Sequence, residues 1–368
     1  MKACPVDSRT AYIALNMMED IGPVSVRALV TALGSPQAIF QADKGDLLKA
    51  EGLGPALVAK IVSRRGCLRP DEELARARKR GYEIITPADA AYPKPLLTIH
   101  DPPLALYVWG TLAPDDKRAI AVVGSRHTTL YGRETAEKFA FHLAKTGFVV
   151  VSGLARGIDT AAHRGALQGG GRTLAVLGGA LDCLYPEENA ELAQAVARQG
   201  AVLSEFPLGR QPDKTTFPMR NRIVSGLCMG VLVVEAGPTS GALITASQAL
   251  DQGRCVFAVP GRIDSPASKG SHQLIKQGAC LVESVDDILE EFEFLIPPAC
   301  QGASANLPPL NPDEEKIMRA LAEEELDMDT LTRTTGVPAS ALSVLILGLE
   351  MKRVVRMLPG RRVALIRR

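Results

Sequence analysis

Between residue 119 and about residue 285 the chain repeats one pattern: a short apolar run, a Gly or Ser, then a helical stretch. The runs are "AIAVVG", "FVVVSG", "TLAVLGG", "AVLSE", "GVLVVEA", "CVFAVPG" and "ACLV". They are continuously apolar, as strands buried on both faces are, while stretches such as "GRETAEKFAFHLAKTG" are helix-like. Strand–helix alternation with short loops predicts an α/β domain, a doubly wound and mostly parallel sheet. Ligands of such sheets sit beyond the carboxyl ends of the strands, so function is sought in the loops that follow them.

The flanks differ. Residues 1–80 read as a small helical domain, in which "VSVRALVTALG" puts Val26, Leu29, Val30 and Leu33 on one face with Gly34 as the stop. "DIGP" at 20–23 and "GLGP" at 52–55 each precede an apolar-patterned helix and resemble helix-hairpin-helix turns; a Gly-Pro pair that only joins two helices explains them as well. Residues 82–118 are too rich in proline for a long helix and are expected to form an extended lead-in to the sheet domain, which closes near 295. Residues 296–312, with "PPACQGASANLPPLNP", form a linker by composition. Residues 313–368 read as three helices and a two-stranded hairpin, a winged-helix pattern. Its second recognition-type helix, "ASALSVLILGLE", has no basic residue, although 352–368 carries seven Lys/Arg and no acid.

A formal charge of +1 excludes a bulk polycation, so any affinity for phosphate must come from local clusters of Arg and Lys. Seven cysteines, odd in number and without a C-x-x-C pair, fit neither a zinc site nor a disulfide framework and read as reduced thiols. The first residues lack a signal-peptide core, and no run approaches the roughly 20 apolar residues of a membrane span. The expectation is a soluble cytoplasmic protein.

Three strand-end loops share a chemistry. "VVGSRHTT" offers Ser125 and Arg126, "VVSGLARGIDTAAH" offers Ser152, Gly153 and Arg156, and "VVEAGPTSGALITA" offers Ser240 and Gly241. Gly and Ser before a helix expose N–H donors at its positive end, which suits an anion, phosphate above all. A glycine in one such turn has a plainer, steric explanation; three loops, two with an arginine, point to a ligand. Neither a P-loop nor a G-x-G-x-x-G is present, and no catalytic triad or metal cluster is suggested. Asp159, an expected N-cap, Glu205 and Glu235 lie near strand ends, where capping or fixing an arginine is the plainer assignment than acid–base work. His163 is expected to face the cleft and His272 to pack or to serve as a surface donor.

"DKTTFPMRNR" then sets Lys214, Phe217, Arg220 and Arg222 within nine residues. Cations neutralise phosphate without reading sequence, and an aromatic ring gives any base a stacking face, so this is the composition of a site for unpaired nucleic acid. The competing reading has Phe217 capping a core and the arginines paired with Glu205 or Glu235.

Together "VVGSR", "VSGLARGIDTAAH", "YPEEN", "LSEFP", "FPMRNRIVSGL", "VLVVEA", "SGALITA", "VFAVPG" and "LIKQGA" resemble, in order over about 119–282, the DNA-processing protein A family (DprA, also called Smf). The resemblance implies an extended Rossmann-like sheet domain, a SAM- or helix-hairpin-helix-like domain before it and a winged helix after it. It implies a homodimer that binds single-stranded DNA, works with single-strand-binding protein and loads the RecA recombinase during natural transformation, with no cofactor and no chemical step. Its DNA-binding residues fall here on Ser125, Arg126, Ser152, Gly153, Arg156, Lys214, Phe217, Arg220, Arg222, Ser240 and Gly241. His272 stands where the family often has Asn, which puts that contact in doubt. Two other classes fit parts of the pattern: a hydrolase of nucleotide N-glycosidic bonds using Glu235, and a duplex-binding regulator acting through the winged helix.

Overall fold

The computed structural model describes residues 7–19, 21–292, 311–321, 325–351, 354–358 and 362–365, and the chain divides after Glu290 into two units. The expected linker at 296–312 lies, apart from its last two residues, outside the described ones.

The first unit starts with helices α1 (Ser8–Asn16), α2 (Pro23–Leu33), α3 (Ala38–Gln41), α4 (Lys44–Leu47), α5 (Pro55–Arg64) and α6 (Pro70–Lys79). The two Gly-Pro turns open helices in the same way: Gly22 and Gly54 are extended N-caps, and Pro23 and Pro55 take the first helical position, where no N–H is needed. Gly34 closes α2 with a left-handed φ of 85°. Val26 and Leu29 pack with Ile39, Leu47, Val58 and Ile61 in a core of their own.

The lead-in is more than a strap. Residues 82–118 contribute β1 (Glu83–Ile85), α7 (Lys94–Leu97) and β2 (Leu106–Gly110), and β2 pairs antiparallel with both β1 and the strand at 201–204. Five of its six prolines fall between the two strands and Pro114 follows β2, so none interrupts a ladder. Glu73 of α6, 2% exposed, accepts from Tyr107 Oη (2.9 Å) and Leu208 N (2.8 Å), which ties the helical region to the sheet.

The alternating region runs β3 (Ala119–Val123), α8 (Leu130–Lys145), β4 (Val149–Ser152), α9 (Ile158–Gln168), β5 (Thr173–Val176), α10 (Ala190–Gln199), β6 (Ala201–Ser204), α11 (Thr216–Gly226), β7 (Gly230–Val233), α12 (Gly241–Asp251), β8 (Cys255–Ala258), α13 (Lys269–Lys276), β9 (Cys280–Leu281) and α14 (Val285–Phe292). The nine-stranded sheet has the order β1-β2-β6-β5-β4-β3-β7-β8-β9, parallel from β6 to β9. Successive strands wind outward from β3 to β6, then return to the other side of β3 with β7, where Ile120 faces Gly230. Neighbouring residues of a strand serve opposite faces. Leu174 and Val176 share a core with Ile223 of α11, Leu227 just after it and Ala246 of α12, whereas Ala175 packs with Ala193 and Val196 of α10. Burial on both faces is why these runs read as continuously apolar.

The second unit comprises α15 (Pro312–Ala320), β10 (Leu326–Asp327), α16 (Met328–Thr335), α17 (Ala339–Met351), β11 (Val355–Leu358) and β12 (Arg362–Leu365). The two-stranded wing gains a third strand, in the order β10-β12-β11. Asn311 and Glu314 form a reciprocal cap on α15, and Ile317, Leu331, Leu342 and Ile346 centre the core. Among the described residues no helix is long and apolar enough to cross a membrane.

Candidate functional site

The parallel sheet reverses its winding between β3 and β7, and a cavity of about 490 Å3 opens at the carboxyl ends there, the place this topology gives to ligands. Its walls are the loops after β3, β4 and β7 and one side of α11.

After β3, Ser125 N donates to Glu235 O (2.7 Å), while Ser125 Oγ accepts from His127 N (3.1 Å) and donates to His127 O (3.0 Å). The hydroxyl expected to hold a ligand shapes its own turn, leaving Arg126 at the rim. Glu235, 3% exposed, accepts from Thr128 Oγ1 (2.6 Å), Thr129 N (2.9 Å) and Thr129 Oγ1 (2.7 Å). It fixes the entry to α8, and both its oxygens are taken.

After β4, Leu154 takes a left-handed φ of 56°, rare for a residue with a Cβ, inside a fully buried position. Asp159 Oδ2 accepts from Gly153 N (3.1 Å) and Ala155 N (3.3 Å). Asp159 is therefore no N-cap. It lies in the first turn of α9, where Gly157 is the cap, and reaches backward to fill with its own carboxylate the amide donors expected for a phosphate. Burial pushes the Asp159 carboxyl up, with Arg220 pulling the other way.

The side of α11 that faces the cavity carries Phe217, Arg220, Asn221 and Val224, spaced i, i+3, i+4 and i+7 as one helical face requires. Arg220, 4% exposed, donates through Nη1 to Gly153 O (2.5 Å) and to Val176 O, and burial draws its guanidinium down to about 10 despite Asp159. A Cβ at Gly153 would fall on that guanidinium, so glycine is what lets the arginine through. After β7, Ser240 Oγ caps α12 by accepting from Ala242 N (3.3 Å), with Gly241 as the first helical residue; both line the cavity.

The rim is a ladder of cations and rings. Arg126 Cζ lies 4.6 Å from the Phe217 centroid, the Phe217 and Tyr185 centroids are 6.1 Å apart at 52°, and Arg156 Cζ lies 5.9 Å from the Tyr185 centroid. Phe217 rests on Gly178, where a Cβ would come within 2.6 Å of the ring. Arg156 is held on its far side by Glu188, bidentate at 3.0 and 2.9 Å. A second, smaller cavity of about 190 Å3 lies among Arg126, Arg156, Tyr185 and Phe217. Lys214 borders the main cavity and, like Arg126, has no carboxylate partner among the described residues.

Two expected contacts do not reach either cavity. Ser152 is fully buried, and its Oγ donates to Val122 O (2.7 Å) within the sheet. Arg222 stands on the opposite side of α11 from Arg220, 4% exposed, paired with Glu205 (2.5 Å) and Asp101 (2.8 Å). Burial raises the Glu205 carboxyl, and Arg222 opposes that. The competing reading of the arginines thus describes Arg222 and not Arg220. His163 does not face the cleft: it is fully buried, with Nδ1 on Thr173 Oγ1 (2.7 Å), and burial lowers it to about 3. His272 holds the loop after β8 through Gly261 O (3.0 Å). Sequence reasoning missed Tyr185 and Asn221. The helical period points to Asn221; Tyr185 opens the quoted "YPEEN", but the ring and cation that place it at the rim, Phe217 and Arg156, lie elsewhere in the chain.

Open on one side, the main cavity combines unpaired cations at its mouth, a buried guanidinium in its floor and an aromatic face at its edge. That set is suited in charge and shape to an anion carrying a flat ring.

Comparison with known proteins agrees with the order of domains. The family model described as DNA recombination-mediator protein A matches residues 83–293, a DprA winged helix domain matches 301–361, and a SAM-like helix-hairpin-helix tandem matches 12–65. Protein Smf of Synechocystis sp. is 33% identical over 97% of this chain and 98% of its own length. The X-ray structure of DNA processing protein A from Streptococcus pneumoniae is 38% identical, with a TM-score of 0.68 over 78% of this chain and 99% of that one. A DNA processing protein A structure from Helicobacter pylori, reported for its single-stranded DNA binding mode, is 29% identical with a TM-score of 0.53, over 59% of this chain and 97% of that one.

Proposed function

The chain belongs to the DNA recombination-mediator protein A (DprA/Smf) family, and on that premise we propose that it binds single-stranded DNA in the cavity at the β3–β7 reversal. Phosphates meet Arg126, Lys214 and the exposed end of α12 at Ser240–Gly241; a base meets the ring of Phe217. The single observation that carries the reading is the Arg126–Phe217 pair standing over the buried Arg220, because it joins charge and a flat apolar face at one spot. Single strands suit it better than duplex: a ring reaches a base face only where bases are unstacked.

In the cell the bound strand is handed to RecA during natural transformation, in cooperation with single-strand-binding protein and by a cytoplasmic homodimer. These finer points rest on the family. Binding without a chemical step is favoured by Glu235, the acid that a glycosidic hydrolase of this fold would use, since its oxygens serve Thr128 and Thr129.

Fluorescence anisotropy of labelled oligo-dT and of a duplex of equal length, titrated with salt, tests the reading. The expected result is tighter binding of oligo-dT and a log K that falls linearly with log salt, with a slope of about 0.7 for each phosphate neutralised. Equal affinity for the duplex at low salt would refute it.

A further inference from the structure

We propose that the Tyr185 ring is a second stacking platform, for the base next to the one on Phe217, and that the strand seats itself there by taking Arg156 from Glu188. The proposal rests on the single-strand reading above and extends it to a second subsite.

Four observations carry it. Tyr185 is 45% exposed, although its body sits at the border of the 190 Å3 cavity; an aromatic ring left open beside a cationic cleft lacks a core role. Its neighbour in space is Phe217, at 6.1 Å between centroids, so two bases one step apart on a strand can meet two rings one step apart on the protein. The segment is fixed: Asn189 Nδ2 donates to Leu154 O (2.9 Å) and to Thr160 Oγ1 (2.9 Å), which anchors the turn carrying Tyr185 and Glu188 to the strained loop after β4. Finally, each ring carries an arginine on one face, Arg126 on Phe217 and Arg156 on Tyr185.

The second arginine is the informative one. Arg126 has no carboxylate partner among the described residues and can turn to a phosphate directly. Arg156 is held by both carboxylate oxygens of Glu188, whose side chain is 57% exposed. A phosphate arriving with a base on Tyr185 offers the same pair of oxygens to the same fork, so one bidentate partner replaces another. Glu188 thereby holds Arg156 beside the ring until a phosphate takes its place, and sets a small penalty that any incoming strand must meet. The surface ion pair is weak enough to be exchanged.

The test compares full-length wild type with Tyr185→Ala, Tyr185→Leu, Tyr185→Phe and Glu188→Gln by anisotropy, on oligo-dT and on an abasic deoxyribose-phosphate strand of equal length. Tyr185→Ala and Tyr185→Leu should weaken oligo-dT binding by roughly 5- to 150-fold, the worth of one stacked base, and leave the abasic strand unaffected. Tyr185→Phe should match wild type. Glu188→Gln should tighten both strands by roughly 1.4- to 5-fold at low salt. Equal losses on both strands, or no loss from Tyr185→Ala, overturn the platform; unchanged or weaker binding by Glu188→Gln overturns the exchange. Failure of wild type to bind oligo-dT at all, or no loss from Phe217→Ala, defeats the underlying reading instead.

Discussion

Arg126 and Phe217 engage one another: the guanidinium carbon stands 4.6 Å from the ring centroid, so the cation and the aromatic face that a strand needs are each other's partner before it comes. Binding has to part them, at the loss of about 0.5–1 kcal/mol for an exposed cation–π contact. Phe217→Ala removes the stacking face, worth roughly 1–3 kcal/mol, and frees Arg126 at the same time. We expect oligo-dT affinity to fall by less than stacking alone would give, with little change in salt slope, as read by anisotropy.

Arg222 and Arg220 are two positions apart and answer to different measurements. Arg222→Leu leaves Glu205 buried without its cation, and breaking such a pair destabilises by about 3–5 kcal/mol. Urea denaturation should show that loss, while oligo-dT affinity per folded molecule stays at the wild-type value.

Gly153→Ala probes the floor of the cavity. The added methyl meets the Arg220 guanidinium, which must then leave Gly153 O and Val176 O. Overpacking of this kind costs about 1–3 kcal/mol. A lowered midpoint in denaturant together with weaker binding is expected, since the guanidinium displaced lines the floor of the cavity proposed to hold the strand.

The sheet could be read from the chain because burial on both faces writes itself locally, as uninterrupted runs such as "AIAVV" and "VLVV". β1 and β2 could not, because their pairing is decided by β6, about a hundred residues away from β2, and prolines between them hide the pattern. At the site, Phe217, Arg126 and Lys214 were visible by type and spacing. Ser152 and Arg222 were misplaced for one physical reason: composition tells which groups are near a strand end, not which side of the element they stand on. The loop after β4 shows a further limit. Its glycine-rich turn has the look of an anion nest, and Asp159, six residues on, occupies it.

His163 makes stability sensitive to mild acid. Thr173 Oγ1 donates to Val150 O (2.7 Å), so His163 Nδ1 must carry the hydrogen, and Nε2 is buried with no partner among the described residues. With a folded pKa of about 3 against the ordinary 6.5, the unfolded chain takes up the proton first. The contribution is complete above pH 6.5 and is lost as pH falls toward 3, by about 1.4 kcal/mol per unit. Stability of His163→Gln, measured by urea between pH 7 and 4.5, should fall less steeply than that of wild type.

The pairing of β3 with β7 also sets a clock on biosynthesis. Residue 120 finds Val150 early but its β7 partner only when residue 230 has been made, and the helix that completes the crevice follows at Gly241–Asp251. A ribosome that has delivered the first two hundred residues has delivered Arg126, Arg156 and Tyr185 of the rim, but neither Phe217 nor a crevice to hold them in order. The crevice proposed to hold a strand is thus incomplete until synthesis is two-thirds done.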